Sequence, residues 1–190
     1  PGGCGALRVA AELINRARPS ARIWVSDPTW ANHTPLLGDA GLAIETYPYF
    51  DRSNSGLLFD EMMSTLGTAS AGDLVLIHGC CHNPCGVDLD QSQWTALAEL
   101  VLARGFTPFI DLAYQGFSTG LAEDAFGARL MAEQVPELLV ASSCSKNFGL
   151  YNERVGGLTV VCGSDQAVQT VFSHLKLTIR KCYSNPPAHG

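Results

Sequence analysis

Short apolar runs alternate along the chain with longer stretches of helical spacing. Residues 22–26, 42–46, 74–78, 106–110, 138–141 and 157–161 read as strands. Several are apolar throughout, the mark of strands covered on both faces. Residues 6–14, 57–66, 91–103 and 166–180 carry apolar positions at helical intervals. In the third of these, Trp94, Leu97, Leu100 and Val101 fall on one side. Trp30 and His33 belong to a turn or short helix after Asp27-Pro28. Continuous apolar strands alternating with helices predict an α/β domain with a largely parallel sheet.

Composition narrows the class. The chain has 190 residues, 46% hydrophobic and 16% charged, enough for one folded domain with a substantial core. A net charge of -6 and the absence of any basic run argue against nonspecific nucleic-acid binding. No apolar run approaches the ~20 residues that span a membrane. The chain opens at Pro1 and stops mid-phrase at Pro186-Pro187-Ala188-His189-Gly190, so an internal piece of a longer polypeptide is expected. Seven cysteines, an odd number in apolar surroundings, suggest free thiols in a reducing compartment such as the cytoplasm. Cys80, Cys81, His82 and Cys85 invite a zinc reading, but their spacing fits no common tetrahedral set, and no metal site is expected.

The candidate chemistry collects where strands end, the place where such sheets bind ligands. Residues 136–141 turn abruptly into Ser142-Ser143-Cys144-Ser145-Lys146. A lysine following a buried strand offers amine chemistry: a Schiff base with a carbonyl compound or with pyridoxal phosphate. Ser143, Ser145 and Arg154 could hold a phosphate through hydroxyl donors and a guanidinium fork. The glycines of Pro1-Gly2-Gly3-Cys4-Gly5 precede a helix, and a helix start offers backbone N–H groups to an anion. Asp111 ends one strand, with Tyr114 a turn later; His78 and Asn83 end another. Each has an ordinary local explanation, as a cap, a core ring or a turn residue. Together they are the set that a pyridoxal phosphate site requires.

Five segments carry a resemblance that covers the chain from end to end. Residues 80–86 (CCHNPCG), 111–116 (DLAYQG), 142–149 (SSCSKNFG), 151–156 (YNERVG) and 183–187 (YSNPP) resemble the aspartate and aromatic aminotransferases. These are class I, fold type I pyridoxal phosphate enzymes. The resemblance implies a three-layer α/β/α large domain across residues 1–190, without the family's terminal small-domain segments. It implies pyridoxal 5'-phosphate as cofactor. Lys146 matches the lysine that holds it and shuttles the substrate Cα proton. Asp111 matches the carboxylate paired with the pyridine nitrogen, and Tyr114 and Asn83 the donors to the ring oxygen. Trp30 matches the indole on the ring face, which with Asn83 also meets substrate. Ser143 and Arg154, with the backbone of Gly3 and Cys4, match the phosphate ligands; His33 and His78 match groups behind the aspartate. Arg180 looks like the arginine that enters the neighbouring subunit's site to bind a substrate side-chain carboxylate. A homodimer follows from that match.

The resemblance also implies the reaction: reversible transfer of the amino group of aspartate to 2-oxoglutarate, giving oxaloacetate and glutamate. An aromatic amino acid aminotransferase is the alternative in the same class. A noncatalytic aminotransferase-like regulatory domain is the alternative in another, disfavoured because the site residues are all present. Two positions depart from the pattern: Cys4 replaces a threonine or serine hydroxyl at the phosphate, and Cys85 replaces the threonine of Asn-Pro-Thr-Gly. The second is expected to be structural. The arginine for the substrate α-carboxylate lies outside these residues, so the chain alone is not expected to transaminate.

Overall fold

The computed structural model describes residues 1–186. In chain order its elements are α1 (Gly2–Ala17), β1 (Arg22–Asp27), α2 (His33–Gly38), β2 (Ala43–Pro48), β3 (Phe50–Asp51), β4 (Gly56–Leu57) and α3 (Phe59–Leu66). There follow β5 (Leu74–His78), α4 (Gln91–Arg104), β6 (Thr107–Leu112), α5 (Phe126–Gln134), β7 (Leu138–Ser143), β8 (Gly156–Val161) and α6 (Asp165–Cys182). Among the described residues, six strands form one sheet in the order β2-β1-β5-β6-β7-β8. Every pairing in it is parallel except that of β7 with β8.

Period-two alternation divides the strands between two cores. Trp24, Val75, Ile77, Ile110 and Leu138 face one way, onto Met62 and Leu66 of α3, Trp94, Leu97 and Val101 of α4, and Met131 of α5. Their neighbours Ile23, Val25, Leu74, Leu76, Phe109, Leu139 and Ala141 face the other way, onto α1 and Leu37 of α2. With α6 laid beside α1, the fold is a three-layer α/β/α arrangement. Burial on both faces explains why these strands read as unbroken apolar runs.

Local chemistry sets the element ends. Asp90 caps α4 by accepting from the Gln93 N–H while the Gln93 side chain accepts from the Asp90 N–H, and Gly105 closes the helix in the left-handed conformation. The structure corrects three expectations. The glycines at residues 2–5 form the first turn of α1 and not a loop before it. Leu57 lies in the short β3–β4 hairpin, so α3 starts at Phe59. Helix α5 was not predicted, because its apolar residues form no long periodic stripe; only Gly127 and Met131 are fully buried.

One feature of the sheet positions the site. β1 pairs with β2 all the way to Asp27↔Pro48, but with β5 only at Ile23↔Leu74 and Trp24↔Val75. The two strands therefore part toward their carboxyl ends. This is also where chain order reverses across the sheet, the topological switch point at which such folds open a crevice.

Candidate active site

Three neighbouring strand ends bring polar groups to that crevice. His78 ends β5, and Asp111 lies opposite it in register on β6. β7 ends at Ser143, and the turn beyond carries Ser145 and Lys146. The start of α1 approaches from the other side with Gly3 and Cys4. With Trp30, Asn83, Tyr114, Tyr151 and Arg154, these residues enclose a cavity of about 190 Å³. A larger cavity, about 410 Å³, opens among α1, α6 and β8; it is lined mainly by apolar groups such as Leu13, Leu138, Val160 and Val171 and contains none of the predicted residues. Volume and chemistry point to different places, and the chemistry belongs to the smaller cavity.

Asp111 is buried at 6% exposure and accepts from His33 Nε2–H at 3.0 Å. Thr29 Oγ1 bridges His33 Nδ1 at 2.8 Å and His78 Nε2 at 3.2 Å. The Trp30 indole meets the His33 ring edge-on, 5.2 Å between centroids. Burial, then the neighbouring His82 and His33, holds His78 well below the ordinary histidine range, so its ring is neutral near pH 7. The carboxylate thus ends a hydrogen-bonded row that runs through His33 and Thr29 to His78.

At the opposite wall, Lys146 Nζ lies 5.1 Å from the Tyr114 ring and 4.9 Å from the Tyr151 ring. Both rings stand at cation–π distance from the lysine nitrogen. Arg154 closes the third side. Its Nη1 donates to the Tyr151 carbonyl at 2.8 Å and to Ser145 Oγ at 3.4 Å, and its guanidinium lies 5.7 Å from the Tyr151 ring. Its backbone φ is +55°, a conformation costly for a residue with a Cβ and found where a site demands it. Beside it, α1 begins with no side-chain cap, leaving its first N–H groups for another acceptor. Gly2 has φ +65°, and a Cβ there would lie 2.9 Å from Arg154 Nη2.

The structure brings together every predicted site residue except two. His33 sits behind Asp111, where the resemblance puts it. Arg180 is exposed on α6 and donates to Ser184 Oγ at 2.9 Å, outside this cavity. Sequence reasoning missed Tyr151 and Thr29. Tyr151 lies within the same segment as Arg154, three residues away, a spacing that puts it on the arginine's own turn. Thr29 adjoins Trp30, but nothing in the sequence reveals that it joins two histidines. His82, grouped above with the cysteines, has its two ring nitrogens next to Ser26 Oγ at 2.9 Å and Cys85 Sγ at 3.0 Å. Among the described residues, no group of three or more His, Cys, Asp or Glu is placed to hold a metal ion. All seven cysteines are free thiols.

Comparison with known proteins identifies the family to which the chain belongs. The family model described as aminotransferase class I and II matches residues 1–190. The aspartate aminotransferase of Escherichia coli strain K12 is 52% identical over 190 residues, all of this chain and 48% of that protein. The aromatic-amino-acid aminotransferase of the same organism is 47% identical over 189 residues, again covering 100% of this chain and 48% of that protein. Among solved structures, an aromatic amino acid aminotransferase from Burkholderia pseudomallei, covalently bound to pyridoxal phosphate, superposes with a TM-score of 0.97. It is 44% identical, with 100% of this chain and 47% of that chain covered. The chain thus spans about half the length of the curated relatives it matches. On both sequence and fold, it belongs to the class I and II aminotransferase family.

Proposed function

We propose that the chain is the pyridoxal phosphate-binding part of an aspartate aminotransferase. The observation that carries this is the cavity itself: an amine, a buried carboxylate and an anion seat face one another across about 190 Å³. The residues fit the cofactor chemically. Lys146 would supply the amine that holds it. Arg154, the Ser143 and Ser145 hydroxyls and the uncapped start of α1 suit a phosphate dianion. Asp111, held by His33, suits a protonated pyridine nitrogen, and Trp30 offers a ring face. When bound, pyridoxal phosphate supplies the electron-withdrawing ring that takes up the pair left as a substrate Cα–H bond breaks.

The chain's residues do the rest. Asp111 holds the proton on the pyridine nitrogen, a pairing strengthened by burial. Lys146 Nζ moves the proton at substrate Cα, as general base and then general acid. Tyr114 and Asn83 would donate to the ring oxygen, and Trp30 would exclude water from one face. Arg180, pointing away from its own cavity, serves the partner subunit's substrate carboxylate in a homodimer. Seven free thiols suit a reducing compartment such as the cytoplasm. An aromatic amino acid aminotransferase is the second reading, supported by relatives of that name at nearly equal identity.

The test uses the full chain, titrated with pyridoxal phosphate and then reduced with borohydride. Peptide mapping is expected to find the cofactor on Lys146 and to lose it in Lys146→Ala. In a full-length protein that contains this chain, turnover with 2-oxoglutarate is expected to favour aspartate over phenylalanine. Labelling elsewhere, or none in folded protein, sinks the cofactor reading; a preference for phenylalanine selects the aromatic one.

A further inference from the structure

Three close approaches fix the start of α1 against the ends of β7 and β8. The first is the approach of Gly2 to Arg154 described above. In the second, a Cβ on Gly3 would lie 3.1 Å from Cβ of Ser143, the residue at which β7 ends. In the third, a Cβ on Gly156 would lie 2.6 Å from the carbonyl carbon of Gly2 and 2.9 Å from its Cα. It would also lie 2.5 Å from the Ser142 carbonyl oxygen. Gly156 opens β8 and pairs in register with Ser143. One glycine therefore stands where the end of β7, the start of β8 and the first turn of α1 meet.

The atoms that meet Gly156 decide what a side chain there would do. All three are backbone, so no rotamer change makes room for a Cβ. Gly156 has no left-handed φ, so alanine could adopt its conformation, and the conflict is one of contact alone. Its neighbour Gly157 differs: a Cβ there meets only Ser142 Oγ, at an ordinary 3.6 Å. Gly156 does not line the cavity, whereas Gly3, Cys4, Ser143 and Arg154 do. The first N–H groups of a helix serve an anion only where they converge with its other donors, because hydrogen bonds weaken steeply with misalignment.

We propose that Gly156 is a positioning residue for the anion seat: lacking a Cβ, it lets the first turn of α1 settle against β8, so that the N–H groups of Gly3 and Cys4 converge with Ser143 and Arg154. It acts through Gly2 and touches no ligand itself. The placement of α1 stands on the contacts alone; the consequence for a phosphate rests on the pyridoxal phosphate reading of the cavity. In Gly156→Ala, α1 has to draw back from β8, and its first turn leaves the other donors. In Gly157→Ala, nothing has to move.

The experiment pairs affinity measurements with NMR on the full chain, labelled with 15N at glycine and cysteine. Wild type, Gly156→Ala and Gly157→Ala are titrated with pyridoxal phosphate and with pyridoxal, which lacks the phosphate. Gly156→Ala is expected to lower the ratio of the two affinities about tenfold, the worth of one hydrogen bond to a charged group. Gly157→Ala is expected to keep the wild-type ratio. A merely structural role for Gly156 would lower both affinities together and leave the ratio in place, which overturns the proposal. In a second arm, inorganic phosphate is added to the ligand-free wild type. The N–H signals of Gly3, Cys4 and Gly156 are expected to shift with one midpoint. A response at Gly3 and Cys4 with none at Gly156 overturns the proposal even if Gly156→Ala does not fold. No response at Gly3 and Cys4 overturns the anion seat itself, and the cofactor reading with it.

Discussion

At the scale of single residues, the proposed anion seat depends on groups that no side-chain inventory reveals. Arg154 holds a left-handed backbone conformation, and Gly2 holds another beside it, with no room for a Cβ under the guanidinium. Gly2→Ala strains φ and pushes Arg154 at once, a cost of about 1–2 kcal/mol at the backbone alone. The expected result is a loss of roughly tenfold in affinity for pyridoxal phosphate. Affinity for pyridoxal, which lacks the phosphate, should change much less. Paired titrations of the two compounds make the check; an equal loss for both would mean that Gly2 shapes the whole cavity. Lys146, Asp111 and Arg154 were legible as candidates because each has unusual chemistry for its place in the pattern. Gly2 read only as part of a glycine-rich segment, because its role lies in a contact across the fold.

At the scale of elements, strands and capped helices were legible, and packing-dependent elements were not. The α4 helix announces itself through Asp90, Gln93 and Gly105. The α5 helix has no comparable signal: it seats Gly127 against the Trp94 indole, where any Cβ would collide with the ring. Gly127→Ala is expected to destabilise the fold by about 1–3 kcal/mol through overpacking, even though alanine is the better helix former. Thermal melting of the variant, with and without Trp94→Leu, checks this. The second substitution should recover part of the loss by making room. If Gly127→Ala melts higher than the wild type, helix propensity outweighs the contact and the packing argument fails.

At the scale of the whole molecule, buried titratable groups set the response to acid. His82 has its pKa lowered to about 4 from an unfolded value near 6.5, and His78 is also lowered by burial. Between those pH values the unfolded chain binds protons that the folded chain refuses, so stability falls as pH drops from about 6.5 to 4. Asp124 acts in a lower window. It accepts from the N–H groups of Gly116, Ser118, Thr119 and Gly120, and its pKa is lowered to about 2. Its contribution is complete above the ordinary carboxylate pKa and is lost as pH falls through about 2. Melting temperature against pH should therefore decline below about 6.5, with a smaller decline in His82→Gln relative to that variant's own neutral value. A curve flat down to pH 4 would mean that the histidines are protonated in the folded state.

Short-range features of the chain determined the α/β class, the strand positions and the chemistry at strand ends, because buried strands must be apolar and a polar residue ending one is conspicuous. The family resemblance rested on the same segments, so family and candidate residues were legible together. Sheet order, the antiparallel β8 and the start of α1 depended on contacts between distant segments. So did the parting of β1 from β5, which leaves a wedge for three histidines. The sequence contains His33, His78 and Asp111 at separations that predict no contact. Only the tertiary structure made one row of them through Thr29, because the ends of β5 and β6 meet α2 only where the sheet brings them together.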